Sequence, residues 1–254
     1  MWHGDYLFLI RNLVEKDFKV RYRNMSLGVL WSLLNPLIMM GVLTFIFTKI
    51  FAQPNDKNFP LYVLCGLVPL NFFTLAWATG TTSMLENAPL IKRVPVPRYV
   101  FPISSVLSNC LHLLIQILLL LGIVLVFGRA VTIHWLWLPL IWGLEILFVM
   151  GLVLAFSAVN VYVRDTRYVV ESTNTVLFWL VPIFYSFMLI PARFRGIYEI
   201  NPVAALVLMM RNVLLDGHAP LGSTLTKLAV VSVVMFGAGL FIFAKLKDGF
   251  YARL

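Results

Sequence analysis

Charge is what this sequence has least of. Only 12% of its 254 residues are Asp, Glu, Lys or Arg, against about 25% in a soluble domain. Acidic residues are the scarcest, 11 against 20 basic ones. That composition excludes an ordinary solvated surface and places the chain among membrane proteins. The net charge of +9 has no basic domain to gather it, so nucleic acid is not expected as a partner. In a chain this apolar, Lys and Arg instead decorate cytoplasmic loops and meet anionic membrane lipid. The two cysteines, Cys65 and Cys110, both lie in apolar segments, which excludes a disulfide scaffold. His3, His112, His134 and His218 are scattered, with no pair at metal-ligand spacing, and no metal is expected. There is no G-x-x-x-x-G-K-[ST] run and so no P-loop. There is no G-x-S-x-G elbow either, and nothing in the residues argues for a catalytic site. The one early apolar patch, Tyr6 to Ile10, is too short for the core of a cleavable signal peptide. The first span is expected to serve as its own insertion signal.

What the sequence has in abundance is hydrophobic residues, 61% of the total. A run of about 20 apolar residues crosses a bilayer core of about 30 Å. Six runs qualify: Leu27–Phe51, Leu61–Met84, Ile103–Phe127, Trp135–Val159, Thr173–Ile190 and Leu225–Ala244. The expected fold is all-α, with six transmembrane helices in a single membrane domain covering 1–254. An even number of spans puts both termini on one side. With the termini inside, Arg11, Lys16, Lys19, Arg21, Arg23, Lys92, Arg93, Arg98, Arg164, Arg167, Lys245, Lys247 and Arg253 are cytoplasmic. Lys49, Lys57, Arg129, Arg193, Arg195, Arg211 and Lys227 are then external, a split of 13 to 7. The positive-inside rule therefore makes both termini cytoplasmic.

Three segments outside the spans have their own character. In residues 5–23, Tyr6, Leu9, Ile10, Leu13, Val14 and Phe18 recur at helical spacing opposite Arg11, Asn12, Glu15, Lys16 and Lys19. This predicts an amphipathic helix on the inner membrane surface within a cytoplasmic segment 1–26. Segment 85–102 carries prolines at 89, 95, 97 and 102, which break it into short pieces. Leu90 and Ile91 beside Lys92 and Arg93 read either as a solvated loop or as apolar anchors in a cationic frame, offered to a cytoplasmic partner. Segment 192–224 is external. Within it Asn201–Leu215 is apolar but short and carries Arg211, so it reads as re-entrant, and non-helical backbone at that depth needs protein or a cavity around it.

Polar groups inside the spans are the remaining candidates. Asn109, His112 and Gln116 fall on one face of the third span. Glu145 lies about 15 Å inside the outer end of the fourth, and His112 and Gln116 about 12–18 Å from the inner end of theirs. The matched depths predict a hydrogen bond from Glu145 to His112 or Gln116, either as glue between helices or as a proton relay. Gly151-x-x-x-Ala155 reads as a close helix contact. Asn35-Pro36 disturbs the first span. The aromatics of the second and fifth spans, several beside Pro182, could line a saccharide path by stacking on sugar rings.

The stretches DFKVRYRNMSLGVLWSLLNPLIMM (17–40), LYVLCGLVPLNFF (61–73), ENAPLIKRVPVPRYVFP (86–102), NVYVRDTRYVV (160–170), LVPIFYS (180–186) and NPVAALVLMMRNVLL (201–215) together resemble the membrane subunit of bacterial polysaccharide ABC exporters. That family includes exporters of O-antigen, capsule and teichoic acid. The resemblance covers nearly the whole chain in order. It implies a homodimer of six-span subunits around a central channel in the bacterial inner membrane. It also implies two copies of a separate ATPase that bind ATP and Mg²⁺, with no cofactor in this chain. Asn87, Leu90, Ile91, Lys92 and Arg93 then form the coupling helix, and Arg164 and Asp165 the second cytoplasmic loop. The first and fifth spans line the channel, which nominates Trp31, Asn35, Phe178, Trp179, Phe184 and Tyr185. Asn201, Pro202 and Arg211 shape its external gate. The ending FAKLKDGFYARL departs from the more acidic ending of the family. The expected function is export of lipid-linked polysaccharide, O-antigen above capsule or teichoic acid, by a subunit that is not itself an enzyme. Rival readings are a proton-coupled transporter using Glu145 and His112, and a membrane enzyme acting on lipid-linked sugars.

Overall fold

The computed structural model describes residues 5–51, 58–94, 96–191, 193, 194, 196, 198 and 201–253. His3, Lys57, Pro95 and Arg195 lie outside the described residues, as does much of 192–200 at the start of the expected external segment. Among the described residues all regular structure is helical.

Helix α1 (Tyr6–Tyr22) is capped by Asp5, whose side chain accepts from the backbone N–H of Leu7 at 2.9 Å and of Phe8 at 3.3 Å. The chain leaves it through a turn with Asn24 at φ 61° and Gly28 at φ 48°. These are left-handed values that Asn and Gly tolerate best. Helix α2 (Trp31–Phe45) is preceded by a 3₁₀ turn at Gly28–Leu30 and continues through a π turn at Ile46–Ile50. Then come α3 (Phe59–Glu86), the short α4 (Ala88–Arg93), α5 (Val100–Val126), α6 (Leu138–Tyr162) and α7 (Thr166–Leu180). Helices α8 (Pro202–Leu214) and α9 (Gly222–Leu246) follow, and the chain ends in a helical turn, Phe250–Arg253.

Five helical stretches among the described residues are long and apolar enough to cross a membrane: Gly28–Ile50, Phe59–Arg93, Val100–Val126, Ile133–Tyr162 and Gly222–Gly249. The molecule is a multi-pass all-α membrane protein. Its outside is apolar where α5 presents Leu114 and Leu118 and α9 presents Val230, Val233, Val234 and Phe241. An exterior of this kind faces lipid rather than water.

The fifth expected run, Thr173–Ile190, is not one long helix. Helix α7 starts seven residues earlier, at Thr166, and stops at Leu180. Val181 is extended, with ψ 134°. The cause is Pro182, which disfavours helical geometry in the residue before it and has no N–H to continue the ladder.

Helix α3 is the axis of the fold. It packs on α2, α5, α6, α7 and α8, and most of its length is buried. Helix α9 packs along α6, where Gly151 lets the two backbones meet. A methyl group there would run into the backbone of Met235 and Phe236. Helix α8 is buried on nearly every side against α3, α6 and α9. Helix α1 lies along α5. A second, smaller core closes one end of the bundle. It draws Leu13 from α1, Ile91 from α4, Phe101 from α5, Val161 from α6, and Phe243 and Phe250 from the end of the chain.

Candidate functional site

Helices α2 and α7 both pack on α3. The outward face of α2 is largely apolar, with Ile38, Val42 and Phe45 exposed, whereas that of α7 carries polar groups beside its exposed Val169 and Val176. On α7, Tyr168, Ser172, Thr175 and Trp179 are exposed. At spacings of three and four they form one stripe, with exposed Glu171 beside it. Asn174, next to the stripe, turns inward and donates to the carbonyl of Thr74 on α3 at 3.1 Å. On α2, Trp31 (47% exposed) and Asn35 face out one turn apart. The Thr175 hydroxyl is satisfied within the helix, donating to the carbonyl of Glu171 at 3.0 Å, and the Tyr168 hydroxyl accepts from Arg167 at 2.7 Å. The exposed carboxyl of Glu171, however, has to meet water, substrate or another protein surface, because lipid cannot satisfy it.

The channel candidates do not form one cluster. Phe178, Trp179, Phe184 and Tyr185 gather where α7 ends. The Phe184 ring lies 5.6 Å from Trp179, 6.1 Å from Phe178 and 5.4 Å from Tyr185, centroid to centroid. It also stacks on Phe47, beyond the end of α2, at 4.8 Å. Trp31 starts α2 at the opposite end, about 24 Å from Phe47 by helical rise. Within the cluster Trp179 is 62% exposed, whereas Phe184 is buried. Tyr185 turns its hydroxyl back to donate to the carbonyl of Leu180 at 2.7 Å, so it closes the end of α7.

The break after α7 is held by Arg211 of α8. Its guanidinium donates to the carbonyl of Pro182 at 2.5 Å, of Ile183 at 2.7 Å and of Tyr62 at 3.1 Å. It also lies 3.4 Å from the centre of the Tyr62 ring. Arg211 is only 4% exposed. Asn201 and Pro202, paired with it as gate residues, begin the same helix: the Asn201 side chain accepts from Val203 N–H at 3.0 Å, and Pro202 takes the first position, where no donor is needed.

The polar face of α5 meets α1 and α2, and not Glu145. The Tyr22 hydroxyl lies 2.5 Å from Nε2 of His112 and 2.7 Å from Ser32 Oγ. Arg21 donates to Asn109 at 2.9 Å, and Asn109 donates to Thr79 at 2.9 Å. Partial burial draws the Arg21 guanidinium below its ordinary pKa, against the pull of Tyr22 and Asp17. Gln116 donates to the carbonyl of Ser32. The expected bond from Glu145 to His112 or Gln116 is therefore absent. Glu145 is fully buried, and neither of its oxygens has a hydrogen-bond partner. Its electrostatic neighbour on α5 is Cys110. At about 100° per residue Cys110 stands about 160° around the helix from His112, so matched depth did not mean a shared face.

At the end closed by the small core, the residues expected to couple to an ATPase divide by direction. Ile91 is 2% exposed and anchors α4 inward, while Lys92 and Arg93 are exposed and Leu90 is half-buried. Asn87 accepts from Lys16 of α1 at 2.7 Å and donates to the carbonyl of Ser83 at 2.8 Å. Arg164 and Asp165 are exposed in the turn between α6 and α7. Arg98 donates to the carbonyl of Lys247, tying this loop to the end of α9.

Sequence reading missed Tyr22, Ser32 and Thr79 as partners of the α5 face, and Tyr62 as the seat of Arg211. The signals were faint: a Tyr and an Arg ending an amphipathic helix, and single hydroxyls in apolar runs.

Residues 9–215 match the family described as ABC-2 type transporter. The O-antigen export system permease protein RfbA of Klebsiella pneumoniae is 32% identical over 247 residues, 96% of this chain and 95% of that protein. The protein of the same name from Myxococcus xanthus is 29% identical, over 97% and 95% of the two chains. The polysialic acid transport protein KpsM of Escherichia coli is 26% identical, over 92% of each.

Proposed function

Since the chain belongs to the ABC-2 type transporter membrane family, in which it is a transport subunit and not a catalyst, we propose that it forms the channel of an ATP-driven exporter of lipid-linked polysaccharide, with O-antigen as the cargo. The cargo is read from the names of its relatives, two of them O-antigen permeases. Two copies of the chain enclose the path, two ATPase subunits bind ATP and Mg²⁺, and the assembly sits in the bacterial inner membrane. Both termini are cytoplasmic. Helix α7 and the segment after it make the sixth crossing: 15 helical residues reach about 22 Å, and the chain from Val181 to Ile190 covers the remainder. Helix α8 is the re-entrant element.

The observation that carries this reading is the polar and aromatic stripe of Tyr168, Ser172, Thr175 and Trp179 on the outside of a single protomer. Hydroxyls and indole faces suit a sliding glycan, since both hydrogen bonding and ring stacking tolerate changes of register. ATP binding closes the partner dimer, α4 moves with it, and the two protomers shift to advance the glycan. A proton relay through Glu145 and His112 lacks its central contact.

Single cysteines at 172, 175 and 179 test the path. In the reconstituted exporter they should react with a water-soluble maleimide and be shielded by trapped glycan, while a cysteine at 118 on the lipid face should do neither. Equal labelling at 118 and 175 would sink the channel assignment.

A further inference from the structure

A cavity of about 670 Å³ opens between the start of α5 and the end of α9, at the end of the bundle where α4 lies. Its walls separate by chemistry. Ile103, Leu240, Phe243 and Ala244 make an apolar interior, and Ile91 and Val96 of the coupling segment close one side. Arg98 and Lys247 line it from outside the two long helices, one just before α5 and the other just after α9. Leu240 lies six residues inside the end of α9, about 9 Å deep by helical rise. The cavity is therefore cationic at the level where the spans end and apolar within them.

We propose that an anionic phospholipid occupies this cavity, its headgroup phosphate between Arg98 and Lys247 and an acyl chain along Ile103, Leu240 and Ala244. Three observations favour a lipid over a segment of a soluble partner. The interior walls belong to membrane-spanning helices, at a depth that a soluble surface does not reach. The cations stand at the headgroup level, where each contributes to attraction of anionic lipid. The neighbouring face of α9, with Leu240 and Phe241 exposed, already runs against the acyl region. Arg98 is pre-positioned: it donates to the carbonyl of Lys247, and its guanidinium carbon lies 5.9 Å from the centre of the Phe250 ring. Because Ile91 and Val96 form a wall, the bound lipid braces α4 from behind, so anionic lipid tunes coupling as well as stability. Placement in the inner leaflet rests on the orientation proposed above.

The test is binding of phosphatidylglycerol to the purified full-length chain in detergent, read by native mass spectrometry against phosphatidylcholine. Lys247→Glu should weaken phosphatidylglycerol binding by about tenfold. Ala244→Trp should remove it by filling the cavity. Lys245→Glu, an exposed neighbour that does not line the cavity, should leave it unchanged. In vesicles of the assembled exporter, phosphatidylglycerol with a diazirine on its acyl chain should label the chain around Ile103 and Leu240. Equal binding of the two lipids, unchanged binding in both cavity variants, or cross-linking of position 244 to the ATPase in place of lipid would each overturn the proposal. Binding in detergent involves no leaflet, so an error in orientation would leave it intact.

Discussion

Gln116 on α5 donates its side-chain amide to the backbone carbonyl of Ser32 on α2, 3.3 Å away. That carbonyl is the one Pro36 leaves without a donor, since a helical residue bonds to the carbonyl four positions back and proline has no N–H. The two residues are partners across a gap in the backbone ladder. Gln116→Leu leaves that buried acceptor unmet, at about 1–3 kcal/mol. The cost is offset in part because the change also removes the buried side-chain oxygen of Gln116, which has no partner, so the net effect should be a modest loss of stability. In a Pro36→Ala background the new N–H takes over, and the cost should shrink to a few tenths of a kcal/mol. Apparent Tm values of the four proteins in detergent check this. Additive effects would mean that the amide serves something else.

Arg211 answers a larger gap. Pro182 and Ile183, both buried beyond the end of α7, present two carbonyls to α8, and one guanidinium meets both while resting on Tyr62. Arg211→Met should destabilise the protein by at least about 2 kcal/mol, because each acceptor left unmet costs about 1–3 kcal/mol. Arg211→Lys should rescue little of it, as an ammonium lacks the planar fork that spans two carbonyls and stacks on a ring. A lysine variant with the parent Tm would show that charge alone suffices there.

These two cases mark what periodicity can and cannot deliver. The apolar runs of α2, α3, α5, α6 and α9 were legible because a bilayer imposes length and hydropathy on them. Helix α1 was legible because its two faces differ. Pro182 is visible in the sequence, but hydropathy continues past it to Ile190, while the helical backbone stops at Leu180. The pairing of Glu145 failed for another reason: residue counting fixes depth along a helix but not which neighbour a face turns to. Ile91 looked like an anchor for a partner and is an anchor for its own chain, because an apolar side chain in a short cationic loop has the same signature either way.

Glu145 supplies the third prediction. A carboxyl that is fully buried with neither oxygen hydrogen-bonded is a cost the fold carries. Glu145→Met, of similar length and adaptable shape, should raise stability by about 1–3 kcal/mol, seen as a higher apparent Tm. A lower Tm would show that the carboxyl is held by a group in the assembled exporter.

The direction of each side chain in α4 separates folding from coupling. Lys92 and Arg93 are exposed, so the double change to Asp should alter stability by no more than about 0.5 kcal/mol per site. If α4 docks on the ATPase, the same change reverses two charges at that surface, and ATP-driven export should fall by roughly tenfold or more. Ile91→Asp should also abolish export, but through the fold, by burying an unpaired charge among Leu13, Phe101 and Phe243. The two variants are told apart by Tm: Ile91→Asp should melt lower, while the Lys92 and Arg93 variant should melt with the parent. Export at the parent level in the Lys92 and Arg93 variant would mean that α4 is not the contact through which the ATPase acts.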